Sequence, residues 1–255
     1  MNKLISALIR PITGIGILIF LLSALGSPGV SAQYKDDKLL NRPYADNRAW
    51  HLGFSVGMHT EGLNLTNNGI LTDGDKRQWF AEQPSYAPGF CINGLIDFRL
   101  NDFFSVRFSP GLWFGSRTVK FYNALPGPHE GVTESVDIKS TYIVLPIDLK
   151  YAARRWRNLR PYIVGGVMPA FDVGKKPPMD ILSLKSTDYY LTVGFGCDFY
   201  LPFFKLIPEV KFCFGMANIL QTDRPTLADQ PSLIAFTNSL SKVTSNMVVV
   251  SFYFE

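Results

Sequence analysis

The sequence predicts an all-β fold, an eight-stranded antiparallel up-and-down transmembrane β-barrel of the bacterial outer membrane. Three observations predict it. Apolar residues alternate with polar or small ones through eight segments, the signature of strands with two unlike faces. The spacers between the segments run long, short, long, short, long, short, long. A barrel with short turns at one end and long loops at the other gives that pattern by construction. The first 32 residues read as an export signal.

That opening segment carries only Lys3 and Arg10 as charges, then the apolar run "PITGIGILIFLLSAL" and the small residues "GVSA". It reads as a secretory signal peptide over 1–32, cut between Ala32 and Gln33. The alternative, a retained membrane anchor, is disfavoured by the shortness of the run. Cleavage removes two positive charges and takes the formal net charge from +4 to +2, which gives no argument for nucleic acid as a partner. Residues 33–49 form a periplasmic N-terminal segment, and 50–255 form the barrel. The mature part has no further run of 18 apolar residues for a transmembrane helix.

The eight segments follow in order. They are "WHLGFSVGM" from Trp50, "FCINGLIDFRL" from Phe90, "DFFSVRFSPGLWFGS" from Asp102 and "STYIVLPIDLKYA" from Ser140. Then come "RPYIVGGVM" from Arg160, "DYYLTVGFGCDFY" from Asp188, "FKLIPEVKFCFGM" from Phe204 and "NMVVVSFYFE" from Asn246. The long spacers carry turn signals such as "NNG", "DGD" and "GKKPP". The short ones are little more than Asn101, the stretch around "ARRWRNL", and "LP".

Each segment assigns its faces by parity. In the first, Trp50, Leu52, Phe54, Val56 and Met58 oppose His51, Gly53, Ser55 and Gly57. In the third, Val106, Phe108, Pro110, Leu112 and Phe114 oppose Ser105, Arg107, Ser109, Gly111, Trp113 and Gly115. The fifth, with Gly165 and Gly166, is ambiguous. With the apolar faces against lipid, Asp97, Arg99, Arg107, Asp148, Lys150, Asp198, Glu209 and Lys211 point into a lumen that side chains fill. Their signs are roughly balanced, as burial requires. A soluble eight-stranded barrel inverts this parity, and periodicity alone does not choose. Aromatics near strand ends (Trp50, Trp113, Tyr142, Tyr162, Tyr200), the ending "SFYFE" and the loop asymmetry favour the membrane.

Little else carries chemistry. His51, His59 and His129 are too dispersed for a metal site, and neither G-x-S-x-G nor H-E-x-x-H occurs. His59 near Glu61 has the residue types of an acid–base pair at a barrel rim, yet it reads as a loop histidine. No catalytic residue, cofactor, metal or small-molecule substrate is expected. Cys91, Cys197 and Cys213 read as packed thiols, with one disulfide and one odd thiol as the alternative in an oxidising compartment. "NLT" at 64–66 fits a glycosylation sequon. The strongest charge run is "YAARRWRNLRPY", with Arg154, Arg155, Arg157 and Arg160 around Trp156. It reads either as a solvated turn whose arginines meet lipid phosphates or as a docking surface for a periplasmic partner.

The stretches "RFSPGLWFGSR", "STYIVLPIDLKYAARRWRNLRPYIVGGV" with Asp172 beyond it, and "NRPYADNRAWHLGFSVG" resemble the PorT (SprT) outer-membrane barrels of Bacteroidota. The resemblance covers most of the mature chain and is most specific over 140–167. Pro146 and Asp148 depart from it, standing where that family often has a more uniformly apolar stretch. It implies a non-enzymatic accessory role in type IX secretion, which exports cargo bearing a C-terminal signal domain and serves gliding in some species. Partners would then be outer-membrane lipid and lipopolysaccharide together with other type IX secretion proteins. The alternative is a stand-alone barrel for envelope integrity, adhesion or small-ligand binding.

Overall fold

A computed structural model describes residues 40–69, 78–84, 86–123, 133–174, 182–222 and 236–255. The expected signal peptide, residues 33–39, the "DGD" turn, most of "GKKPP" and His129 lie outside the described residues.

Among the described residues eleven strands form one antiparallel sheet: β1 Trp50–Asn67, β2 Trp79–Glu82, β3 Pro88–Arg99, β4 Phe104–Phe108, β5 Gly111–Asn123, β6 Thr133–Val144, β7 Ile147–Ala152, β8 Leu159–Asp172, β9 Thr187–Tyr200, β10 Lys205–Gly215 and β11 Leu240–Phe254. The ring runs β1, β3, then β4 with β5, then β7 with β6, then β8, β9, β10 and β11. It closes where β11 pairs β1, Phe54 opposite Phe254. These are the eight predicted barrel strands, because the third and fourth are each split in two.

Proline causes both splits. Pro110 separates β4 from β5 and Pro146 separates β6 from β7. Each lacks the N–H that a ladder needs. Their carbonyls still hold the wall together: Gly94 N–H donates to Pro110 (2.8 Å) and Ser109 N–H to Pro146 (3.2 Å). The short β2 was not foreseen. It pairs the upper part of β5, Trp79 opposite Asn123, and extends the wall rather than the ring.

One end of the barrel has tight connections, here the turn end. Leu100 N–H donates to Phe104 O (2.9 Å), Trp156 N–H to Leu159 O (2.9 Å) and Leu201 N–H to Phe204 O (3.0 Å). The opposite end is the loop end. The fifth predicted strand now has its faces. Tyr162, Val164, Met168 and Ala170 point inward, while Ile163 and Val167 point outward.

Two rings of exposed aromatics bound an outer apolar belt, the arrangement of an outer-membrane barrel wall against lipid. Trp50, Phe98, Phe104, Tyr151 and Phe204 lie toward the turn end, and Phe90, Phe114, Phe171, Tyr189 and Phe214 toward the loop end. This corrects the expected aromatic set. Trp50 is on the outside at 61% exposure, but Trp113, Tyr142, Tyr162 and Tyr200 are buried in the lumen at 4% or less. Their ring faces pack inside while their polar tips find hydrogen-bond partners there.

Beyond the upper aromatic ring the parity of the strands inverts. On β1 the outward residues are apolar through Met58 and polar from Thr60. The inward ones are polar through Glu61 and apolar from Leu63. On β11 the outward change falls between Val248 and Asn246, one outward position further along the ladder, since Val248 stands opposite Thr60. Above it, Leu63, Trp79, Val119, Phe121, Val136, Ile138, Leu220, Phe236 and Val243 form an apolar core inside the wall. At that level the sheet has the inside-apolar, outside-polar pattern of a barrel wall surrounded by water.

Candidate functional site: the polar lumen and its turn-end cover

Between the turn end and that apolar core the lumen is a stack of charged layers. Arg107 lies at its centre, fully buried. Its guanidinium reaches Asp97 (3.2 Å) and Glu209 (2.7 Å), between the rings of Tyr162 and Tyr253. Both tyrosine hydroxyls donate to Glu209, at 2.7 and 3.2 Å. Lys211 bridges Glu209 (3.3 Å) and Asp148 (2.6 Å), and Thr192 donates to Asp148 (2.7 Å). Toward the turn end, Lys150 meets both oxygens of Asp198 at 2.9 Å. Lys205 joins Asp198 (3.8 Å) to Glu255 (2.6 Å), and His51 also contacts Glu255 (2.6 Å).

Seven of the eight predicted lumen residues are therefore brought together: Asp97, Arg107, Asp148, Lys150, Asp198, Glu209 and Lys211. Arg99 stands apart. It is the last residue of β3, where the wall ends, and its guanidinium turns back to Asp102 and to the carbonyl of Asn101 (3.3 Å) in the short turn.

A further layer lies on the loop side. His59 contacts Glu61 (3.0 Å), and Arg117 contacts Glu61 (3.1 Å), Ser245 (3.2 Å), Ser140 (3.1 Å) and the Tyr142 hydroxyl. His59 and Glu61 are thus in strand β1 and sealed in the lumen, not in a loop. Gly115 makes room for them, since a Cβ there would stand 2.5 Å from a Glu61 oxygen. Gly111 does the same for Asn93, at 2.0 Å. Sequence reasoning missed His59, Glu61, Arg117, Lys205 and Glu255 as lumen residues. Extending each strand's parity by one or two rungs would have found them.

The lumen is occupied. Arg107, Arg117, Tyr190, Tyr200 and Met168 are each less than 2% exposed. One cavity of about 30 Å³ opens at the turn end beside Asp97, Lys150 and Asp198. Another of about 10 Å³ adjoins Glu209, Lys211 and Trp113. Spaces of this size hold one or a few waters. Among the described residues no group of three or more His, Cys, Asp or Glu is placed to hold a metal ion. Cys91 and Cys213 are buried free thiols, and Cys197 is a half-buried free thiol.

The turn end has a cover. The described part of the N-terminal segment, 40–48, contains a 3-10 turn at Ala45–Asn47 and spans the rim as a strap. Asn41 bonds two rim elements, the turn at 153–158 and the end of β9: its N–H donates to Asn158 Oδ1 (2.9 Å), its side-chain amide donates to Tyr200 O (2.9 Å), and its carbonyl accepts from the Arg155 guanidinium. Arg42 donates to the carbonyl of Glu255 (3.0 Å). Asp46 is the hub, with the Tyr200 hydroxyl at 2.5 Å, Arg160 at 3.3 Å and Arg155 at 3.5 Å. Arg155 also stacks on Tyr200, 3.6 Å from the ring centre.

The predicted arginine set is thereby divided. Arg155 and Arg160 are committed to the chain's own strap, while Arg154, Trp156 and Arg157 face outward. Arg157 holds a left-handed backbone, φ 55°, at the tip of the turn.

Burial raises the Asp46 pKa, but the Tyr200 hydroxyl and the charges of Arg160, Lys205 and Arg155 outweigh it and hold the carboxyl below its ordinary 3.8. A lowered folded-state pKa stabilises the strap fully above that value and loses the effect as pH falls through the lowered one. Limited proteolysis checks it. The strap should resist cleavage at neutral pH, become a pepsin site on acidification below 3.8, and be cut at neutral pH in the Asp46→Asn variant.

Residues 32–221 match the family described as outer membrane protein beta-barrel domain. No curated protein matches the chain. Among solved structures it is similar to the N-terminal β-barrel domain of Pseudomonas aeruginosa OprF, at 11% identity and TM-score 0.31, covering 80% of this chain and 100% of that one. It is similar also to Neisserial surface protein A, NspA, at 13% and 0.36, covering 78% and 95%. A third is Ail, the attachment invasion locus protein of Yersinia pestis, in complex with the heparin analogue sucrose octasulfate, at 12% and 0.32, covering 81% and 99%.

Proposed function

Because the chain belongs to the outer membrane protein beta-barrel domain family, we propose that it is a closed, non-enzymatic outer-membrane barrel that serves type IX secretion as an accessory component and not as the conduit. One observation carries the second half of this reading, the filled lumen. Arg107, Glu209 and Lys211 meet at the centre of the ring, and the apolar core above them occupies the loop end. An eight-stranded barrel has an interior just wide enough for its own side chains, so a protein cargo has no path through it. The first half rests on the resemblance to the PorT barrels over 140–167. In this reading the turn end and the strap face the periplasm, and the leader at 1–32 directs export.

A deletion strain tests it. Cargo with a C-terminal signal domain should accumulate unprocessed in the periplasm while general outer-membrane permeability stays near normal. Purified barrel in planar bilayers should show no steady conductance. Normal display of cargo at the surface would remove the secretion role and favour a stand-alone envelope barrel. Steady conductance would remove the closed-lumen argument.

A further inference from the structure

We propose that the strap at 40–48 and the turn at 153–158 together form one periplasmic docking face for an acidic protein surface. The proposal rests on the orientation given above, with the turn end in the periplasm, and names the partner chemistry of that end.

The two segments form a single unit. Asn41, Arg42 and Asp46 are all held by residues of the turn and its flanks, Arg155, Asn158 and Arg160. Arg155 in turn donates to the carbonyl of Arg157 (2.7 Å), which ties the tip of the turn to the strap. The inner side of this unit is tied down, and its outer side is exposed, with Arg157 over the Trp156 ring at 5.6 Å. Tyr44 is 77% exposed and Trp156 68%, with Arg48 exposed on the strap and Arg154 and Arg157 exposed on the turn. Tyr, Trp and Arg are the side chains that anchor protein interfaces most often. Three outward cations select an acidic complement, and the exposed acid nearby, Asp102, is already paired with Arg99. A face fixed by this many internal bonds loses little freedom on binding.

Lipid phosphate shares the charge preference of such a face, but geometry separates the two. The strap bonds to Asn158, to Tyr200 at the end of β9 and to Glu255 beyond β11. It therefore crosses the mouth above the lumen, whereas lipid packs against the outer wall. Trp156 belongs to the turn at the rim. Tyr44 belongs to the strap that crosses the mouth.

Photo-crosslinking in cells distinguishes the occupants. A benzophenone amino acid replaces Tyr44 in one strain and Trp156 in another, with heat-modifiable migration as the check that each barrel is folded. The Tyr44 position is expected to give a protein adduct whose crosslinked peptide is acidic. The Arg154→Glu, Arg157→Glu double variant should abolish it, and so should roughly 1 M salt, where the screening length is about 3 Å. Lipid adducts alone at Tyr44, or a protein adduct indifferent to charge reversal, would overturn the docking face. If the charge-dependent adduct forms while cargo export in the deletion strain is normal, the face stands and the secretion reading falls. If the deletion traps cargo and no charge-dependent adduct forms, the reverse holds.

Discussion

Replacing Arg107 with alanine is expected to destabilise the barrel by about 3–5 kcal/mol, the cost of breaking a buried ion pair from one side. The guanidinium neutralises Asp97 and Glu209 at once and is fully enclosed. Its removal takes from Asp97 the cation that it contacts at 3.2 Å and leaves the carboxylate beside an empty volume. Glu209 loses its shortest cationic contact and keeps Lys211 at 3.3 Å. Tyr162 and Tyr253 also lose the cation between their rings, worth about 1 kcal/mol or more where water is excluded. Urea unfolding in lipid vesicles measures the total. A triple variant, Arg107→Met with Asp97→Asn and Glu209→Gln, should recover much of the loss. Removing a whole buried charge set costs far less than orphaning half of it. A loss below about 1 kcal/mol for the alanine variant would mean that water reaches the network and that the lumen is not dry at this level.

Much of this was legible from alternation alone. Arg107 between Val106 and Phe108 declares a two-faced strand, and the same parity in β9 and β10 places Asp198, Glu209 and Lys211 on the inside. What escaped has physical reasons. Residues 117–123 and 133–139 fall in a long spacer between the third and fourth predicted segments, and their inward apolar residues have the wrong parity for a lipid-facing wall. Val119, Phe121, Val136 and Ile138 are inward in the apolar core, so the rule that identified the wall hides its continuation. Trp113 and Tyr142 were read as interfacial aromatics, but a polar lumen also rewards a ring with a hydrogen-bonding tip, as Trp113 shows by donating to Asn93 (2.7 Å). The division of the arginines at 154–160 was not legible at all. It depends on a contact between Asp46 and Arg160, 114 residues apart in sequence, and no local pattern encodes that.

The inversion of parity makes the second large prediction. Phe108 faces outward on the third barrel strand, between the aromatic rings marked by Phe104 and Phe114, with Ile96 and Ile147 as its neighbours across the sheet. Phe108→Arg is expected to cost about 2–4 kcal/mol, the penalty for a guanidinium on the lipid face near the bilayer centre. Thr66 also faces outward, on β1, but four outward positions beyond Met58 and above the point where the outer face turns polar. Thr66→Arg is expected to cost no more than about 1 kcal/mol, as at an interface or in water. Reversible folding into vesicles, followed by the shift between heat-modified and native bands, gives both values. Equal large costs would mean that lipid reaches the upper strands, and the apolar core around Val119 and Phe121 would need another explanation. Equal small costs would mean that the belt of Phe54, Phe108 and Phe195 meets water, which returns the chain to the soluble barrel that its periodicity alone allowed. Only a large cost at Phe108 with a small one at Thr66 fits a wall that leaves the membrane where its two faces exchange character.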